Sequence, residues 1–289
     1  MQQQQSVKLM DGRQLGYAEY GDPNGVPIFY FHGTPGSRLE AGRFHETAVS
    51  NHCRLIGVDR PGMGLSSIDK KRNILAWATD VVNFAGCLKI EKFSIIGHSA
   101  GAPFVAACAY AIPDRLNGAA IISGMAPLDN PESQIGMARG QSIANKLIKT
   151  IPWLANIMMK LTLMMLKNPN MMHKMIQQLP EVDQALFCNP EIRKALINST
   201  MEAFRNGVAG PAYEMKLLAN PWGFDLKNIK YPITVWQGTL DRQAPLSHAK
   251  IYAKWVAGAQ LKIIENEGHL SLLKNHIEEI LRSVCSKST

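Results

Sequence analysis

The sequence predicts an α/β fold: a mostly parallel central sheet with helices on both faces, interrupted by an inserted all-helical cap. Three observations predict it. Short apolar runs alternate with helical patterns over the first 125 residues, the pattern of strands joined by crossover helices. That alternation stops at Gly124 and resumes near Tyr231. Between an apolar strand and a small-residue helix stands Gly97-His98-Ser99-Ala100-Gly101, a G-x-S-x-G pattern. We therefore expect a core from residues 1–125 and 222–289, with a helical cap, or lid, over 126–221.

A chain of 289 residues suits one large α/β domain with an insertion, and 46% hydrophobic against 19% charged residues are ordinary for a globular protein. The net charge of +8 raises attraction to nucleic acid or an anionic membrane surface. Only Lys70-Lys71-Arg72 cluster, however, so we read a solvated surface and no nucleic-acid partner. Five cysteines, Cys53, Cys87, Cys108, Cys188 and Cys285, form no C-x-x-C. Four of them lie in or next to apparent core strands or helices and read as reduced, buried thiols, which with no signal-peptide pattern predicts a cytoplasmic protein. Residues 1–5 read as a short disordered tail. No apolar run is long enough for a membrane span, and no metal or cofactor is indicated.

In chain order, residues 6–10 and 13–20 read as strands joined by a tight turn at Asp11-Gly12. Residues 26–31 are almost continuously apolar, as in a strand buried on both faces. That strand ends at His32-Gly33-Thr34-Pro35-Gly36-Ser37, whose glycines let a backbone N–H turn into a site. A helix over 39–50, a strand over 54–58 and the Gly- and Pro-rich loop 59–66 follow. Residues 73–88 place Ile74, Trp77, Val81, Phe84 and Leu88 on one helical stripe. The strand at 92–96 leads into the G-x-S-x-G turn, the helix at 102–110 and a strand at 116–123. The cap reads as helices over 141–150, 151–167, 170–179, 190–206 and 211–219, each bounded by Pro, Asn or Gly. Ten of the 14 methionines fall in the cap, among them Met158, Met159, Met164, Met165, Met171, Met172 and Met175. Most are expected to pack the cap and a few to line an apolar substrate site. Strands over 231–238 and 260–264 alternate with helices over 246–256 and 270–285.

Active sites in such sheets lie past the C-terminal ends of the strands. His32, Asp59, Ser99, Asp241 and His269 all fall there. Ser, then Asp, then His, each after a separate strand, is a known catalytic order. With the elbow, the His32-Gly33 loop, Asp241-x-x-x-Pro245, the Gly268-His269 pair and the 59–66 loop, the sequence resembles the α/β-hydrolase superfamily along almost its full length. The resemblance implies a serine esterase-like member. Ser99 is then the nucleophile, His269 its general base and acid, and Asp241 the carboxylate that orients the imidazole. The backbone N–H groups of Thr34 and Ala100 would form the oxyanion hole, since Pro35 has none to donate.

Each assignment has a rival. Ser99 also reads as a structural turn serine. Asp225 and Asp129 compete with Asp241. His248 and His276 compete with His269, but lie in helices and read as surface residues. His32 and His98 suit loop support. Asp59 reads as an acceptor for the amides of its own Gly-rich loop.

The expected activity is hydrolysis of a small or medium, apolar acyl ester, thioester or lactone through an acyl-enzyme, by a monomer or homodimer. A ligand-binding receptor on the same fold is the alternative. Ser99 excludes the dehalogenase and epoxide-hydrolase branches, which need a carboxylate at the elbow. The His-Gly-Thr-Pro-Gly loop is similar to that of proline iminopeptidases, but the usual Gly-Gly elbow and an obvious cluster of cap acids are missing, which leaves peptidase activity a minor alternative. Lys160, Lys167 and Lys174 beside an apolar run admit a lipase or phospholipase whose cap docks on a membrane surface, although a packed cap helix explains the same residues.

Overall fold

The computed structural model describes residues 2–285. Eight strands form one sheet in the order β1-β2-β4-β3-β5-β6-β7-β8, with β1 Gln2–Lys8, β2 Gln14–Gly21, β3 Val26–Phe31, β4 Cys53–Val58, β5 Phe93–His98, β6 Leu116–Ile122, β7 Thr234–Gly238 and β8 Gln260–Ile264. The pairs β1–β2 and β2–β4 are antiparallel; the other five are parallel. The expected tail does not hold for residues 2–5, which begin β1: Gln5 lies opposite Tyr17 and accepts the Tyr17 hydroxyl at 2.7 Å. A free β2 edge offers unpaired N–H and C=O groups, and polar Gln side chains do not prevent that pairing. Met1 lies outside the described residues.

Side-chain alternation puts apolar groups on both faces of the central strands. Phe29, Phe31 and Ile95 enter the core under α2 Trp77–Cys87, α3 Ala102–Ala111 and α10 Leu246–Trp255, whereas Ile28, Tyr30 and Ile96 enter the core under α1 His45–Ser50 and α11 Ser271–Cys285. This is the doubly covered sheet that continuous apolar strands require. The helix expected over 39–50 divides into a 3-10 turn, Arg38–Phe44, and α1. In its first half Arg38 and Glu40 are both buried. Of the cysteines, Cys53 and Cys108 are buried, but Cys87 and Cys188 are exposed and Cys285 is half-buried. The expectation of buried thiols therefore holds for only two. Cys87, for instance, closes α2 at its exposed end.

Between β6 and β7 the chain is helical: α4 Arg139–Thr150, α5 Leu154–Lys167, α6 Pro169–Ile176, α7 Glu181–Leu186, α8 Pro190–Ala203 and α9 Ala209–Leu218. This insertion has a small core of its own, built on Ile148, Ala155, Met159, Phe204, Ala212 and Ala219. Asn168 and Asn189 cap α6 and α8, each side-chain oxygen accepting two backbone N–H groups. The six-residue α7 has no counterpart in the sequence reading.

Candidate active site

β5 ends in a turn whose glycines have little alternative. A Cβ on Gly97 would lie 2.6 Å from Val105 Cγ2, and one on Gly101 would lie 2.2 Å from the Phe31 carbonyl oxygen. Between them Ser99 takes φ +54°, in the left-handed region that ordinary side chains avoid. This lifts Ser99 off the sheet at the start of α3, where it remains partly accessible.

His269 follows β8, and its Nδ1 lies 2.9 Å from Asp241 Oδ2, just after β7. The remaining capacity of Asp241 is taken up locally. Oδ1 accepts Gln243 N–H at 2.9 Å and Ala244 N–H at 3.0 Å; Oδ2 also accepts Gln237 Nε2 at 3.2 Å. Burial opposes charge on both partners, but mutual attraction and hydrogen bonding prevail, so the carboxyl lies below and the imidazole above its ordinary pKa. A carboxylate facing Nδ1 places the proton there and leaves the Nε2 lone pair free. Ser99 and His269 line one cavity of about 270 Å³. Among the described residues Ser99 Oγ makes no hydrogen bond to His269.

The His269 loop is held from the insertion. Asp183, fully buried in α7, accepts the backbone N–H of His269 at 2.9 Å, Leu270 at 3.0 Å and Ser271 at 2.8 Å. A carboxylate there also complements the N-terminus of α11. Gly268 is required beneath it, because a Cβ would fall 2.5 Å from Asp183 Oδ2. From the core side, His98 Nε2 contacts the His269 carbonyl at 3.1 Å, while His98 Nδ1 lies 2.8 Å from Glu40 Oε1. Glu40 Oε2 accepts Gly33 N–H at 3.1 Å. Burial works against its charge, yet His98 and Arg43 hold it well below the usual carboxylate range.

Thr34 stands at a second junction. Buried Arg60 donates to the His32 carbonyl at 2.6 Å, the Gly33 carbonyl at 3.1 Å and Thr34 Oγ1 at 3.0 Å. Its charge is met by Glu214 of α9, which accepts Arg60 Nε at 2.8 Å and Arg72 Nη2 at 3.2 Å, and also bonds the Thr34 hydroxyl. Burial raises the pKa of Glu214, but the two guanidinium groups bring it down to about 2. His32 is pushed down to about 3 by burial and by Arg60, and donates Nδ1–H to the Gly33 carbonyl at 2.6 Å. A third carboxylate from the insertion, Glu202 of α8, accepts Arg38 Nη1 at 2.7 Å.

Residues 26–276 match the α/β hydrolase fold family. The chain belongs to that family. It is 35% identical over 106 residues to the esterase YbfF of Escherichia coli, a match covering 37% of this chain and 41% of the relative. The chain thus spans less than half the length of that curated relative. To the uncharacterized hydrolase YcgS of Bacillus subtilis it is 26% identical over 282 residues, 93% of each chain. The solved esterase EaEST of Exiguobacterium antarcticum superposes with a TM-score of 0.70 at 18% identity, covering 98% of this chain and 99% of that one.

In this α/β hydrolase, Ser99, His269 and Thr34 line one cavity, Asp241 is buried behind His269, and Ala100 is next to Ser99. Asp225 and Asp129 do not: both are exposed. Asp59 ties down its loop, accepting Leu65 N–H at 2.9 Å, and pairs in addition with buried Arg38 at 2.8 Å. His248 is not a surface residue. It is fully buried, accepting Ala126 N–H at 3.2 Å and reaching the Ser133 carbonyl at 2.8 Å, because the face of α10 that carries it packs under the first turn of the insertion. Met172 and Met175 line the cavity, whereas Met159 is buried in the insertion core and Met164 and Met171 are exposed.

Sequence reasoning missed Glu40, Arg60, Asp183 and Glu214. Ser37-Arg38-Leu39-Glu40 has the S-x-x-E form of a capping box, which assigns Glu40 to a helix start, yet its carboxylate bonds Gly33, Tyr30 and His98. Glu214, an acid in a largely apolar helix, was a signal that a buried partner existed but not where. Asp183 left no sequence signal.

Proposed function

We propose that this α/β hydrolase is a serine hydrolase acting on small or medium apolar acyl esters, thioesters or lactones, with residues 126–221 as the cap that shapes the acyl site. The reading is carried by one observation: the 2.9 Å His269–Asp241 contact opens onto the same cavity as a serine held at φ +54°. His269 Nε2 takes the Ser99 proton as Oγ attacks the acyl carbon, and the developing oxyanion accepts the N–H groups of Thr34 and Ala100. The tetrahedral adduct collapses with proton transfer from His269 to the leaving oxygen, sulfur or ring alkoxide. Water, deprotonated by the same imidazole, then releases the acid and restores Ser99. Asp241 stays ionised throughout and stabilises the imidazolium.

The cavity supports the substrate class. Leu166, Met172, Met175, Ile176, Leu179 and Phe187 give it apolar walls, and about 270 Å³ lies at the small end of ligand sites. Relatives named as esterases agree with the reading. Its test is hydrolysis of p-nitrophenyl esters from acetate to decanoate, with fluorophosphonate labelling. We expect labelling that Ser99→Ala abolishes and an optimum at short or medium chains. Equal labelling of wild type and Ser99→Ala overturns the mechanism. Tight ligand binding without turnover, indifferent to His269→Ala, makes the protein a receptor instead.

A further inference from the structure

Helix α5 is apolar on two opposite sides. Ala155 and Met159 are buried in the insertion core, and Thr162 and Leu166, on the same stripe, line the cavity over Ser99. The opposite stripe, begun by Trp153 just before the helix, recurs at three- and four-residue spacing. It is exposed: 60% at Trp153, 43% at Ile157, 52% at Leu161 and 63% at Met164. Helix α4, packed against α5, adds exposed Ile143 and Leu147. Single exposed apolar residues are ordinary, but a continuous row of them marks an interaction surface.

The charge of this region is as one-sided as its hydropathy. Residues 139–180 contain six cations, Arg139, Lys146, Lys149, Lys160, Lys167 and Lys174, and no Asp or Glu. All six are exposed. One stretch thus carries six of the chain's eight net positive charges, and the rest of the chain, with 25 basic and 23 acidic residues, is nearly balanced. Lys160 and Lys146 stand on the exposed apolar rows themselves. Exposed Trp and aliphatic side chains interleaved with lysines suit the boundary between lipid headgroups and acyl chains.

We infer that the outer surface of α4 and α5 docks on anionic lipid bilayers, its apolar side chains entering the headgroup region and its lysines pairing with lipid phosphates. The charge argues against a second copy, since two such faces repel each other. Nucleic acid offers phosphates but no apolar layer for Trp153, Leu161 and Met164. Docking here is peripheral: among the described residues no helix is long and apolar enough to cross a membrane. Because the inner stripe of α5 roofs the cavity, docking brings that roof to where apolar esters partition; this consequence rests on the hydrolase reading, while the docking does not.

The test uses the full chain with Ser99→Ala, so that lipid is not consumed, and sedimentation with vesicles of phosphatidylcholine alone or mixed with phosphatidylglycerol. We expect binding to the mixed vesicles only, weakening with salt, and a blue shift of tryptophan emission that Trp153→Phe removes. At about 1 kcal/mol per lysine near an anionic surface, Lys160→Glu with Lys167→Glu lowers partitioning roughly a hundredfold or more. Ile157→Ser with Leu161→Ser lowers it about tenfold or more. An unchanged unfolding temperature shows that these variants fold. Absence of binding to mixed vesicles overturns docking, as does binding indifferent to the two serine substitutions. So does a dimer that those substitutions dissociate without any vesicle binding. Fluorophosphonate labelling of wild type without vesicle binding leaves the hydrolase reading standing and removes this one; the reverse result removes the other.

Discussion

The sheet core and the helical insertion meet at one cavity but contribute different things to it. Ser99, Asp241 and His269 all leave strand ends of the core, and Asp241 is fixed by Gln237, Gln243 and Ala244 within four residues of itself. The insertion supplies the apolar walls and three carboxylates that reach back into the core: Asp183 to the His269 loop, Glu214 to Arg60 and Thr34, Glu202 to Arg38. Reactive groups thus stand on the rigid sheet, and the part that shapes the pocket also grips the loops bearing those groups. Substitutions in the two regions should fail in different ways.

The largest effects belong to the core. Ser99→Ala and His269→Ala should each lower kcat/KM for an activated ester on the order of 10⁶-fold, and Asp241→Asn about 10⁴-fold. Activity near wild type in Ser99→Ala would place the nucleophile elsewhere, and in His269→Ala the general base; either would break the division. Because His269 works as the neutral base and its pKa lies above that of an ordinary imidazole, kcat/KM should fall as pH drops through that raised value. Asp241→Asn removes the attraction and should shift the acid limb to lower pH, as a pH–rate profile would show.

Insertion carboxylates come next, and they act on stability before chemistry. Glu214→Gln leaves the Arg60 and Arg72 charges buried without compensation, a loss of about 3–5 kcal/mol in urea unfolding. The sign with pH follows from linkage. Since Glu214 is lowered from 4.5 to about 2, its stabilisation is complete above pH 4.5 and is lost as pH falls from there toward 2. The variant should lose that part of the acid dependence.

Asp183→Ala should reduce kcat by about ten- to a hundredfold through a displaced His269, with KM little changed and Ser99 still labelled, since small misplacements of catalytic groups cost rates of this order. A rise in KM at constant kcat would instead make Asp183 a substrate contact. Smaller still, Met175→Ala or Leu166→Ala should shift the preferred acyl length, changing the ratio of kcat/KM for hexanoate over acetate by roughly tenfold. Asp129→Ala, at an exposed site, should stay within about 0.5 kcal/mol of wild type, and Asp225→Ala, which removes the acceptor for Lys227 N–H, should cost about 1 kcal/mol; both should leave kcat unchanged.

Much of the fold and part of the site were legible in residues alone. β3 falls on the apolar run at 26–31, and Ser99 sits at the turn that Gly97 and Gly101 mark. The misses share a cause. A tail of Gln reads as disordered until the β2 edge is there to pair with it, and His248 reads as exposed until the insertion covers it.

By itself, then, the sequence determined what depends on neighbours in the chain: strand and helix periodicity, the glycine-bounded elbow, and the order in which Ser99, Asp241 and His269 leave the sheet. Tertiary structure alone decided which distant groups meet. Asp183 caps a loop 86 residues away, Glu214 reaches Thr34 across 180 residues, and α5 is left with an apolar stripe that nothing among the described residues covers. Hydrogen bonds and burial across such separations are set by how layers pack, and no local pattern encodes them.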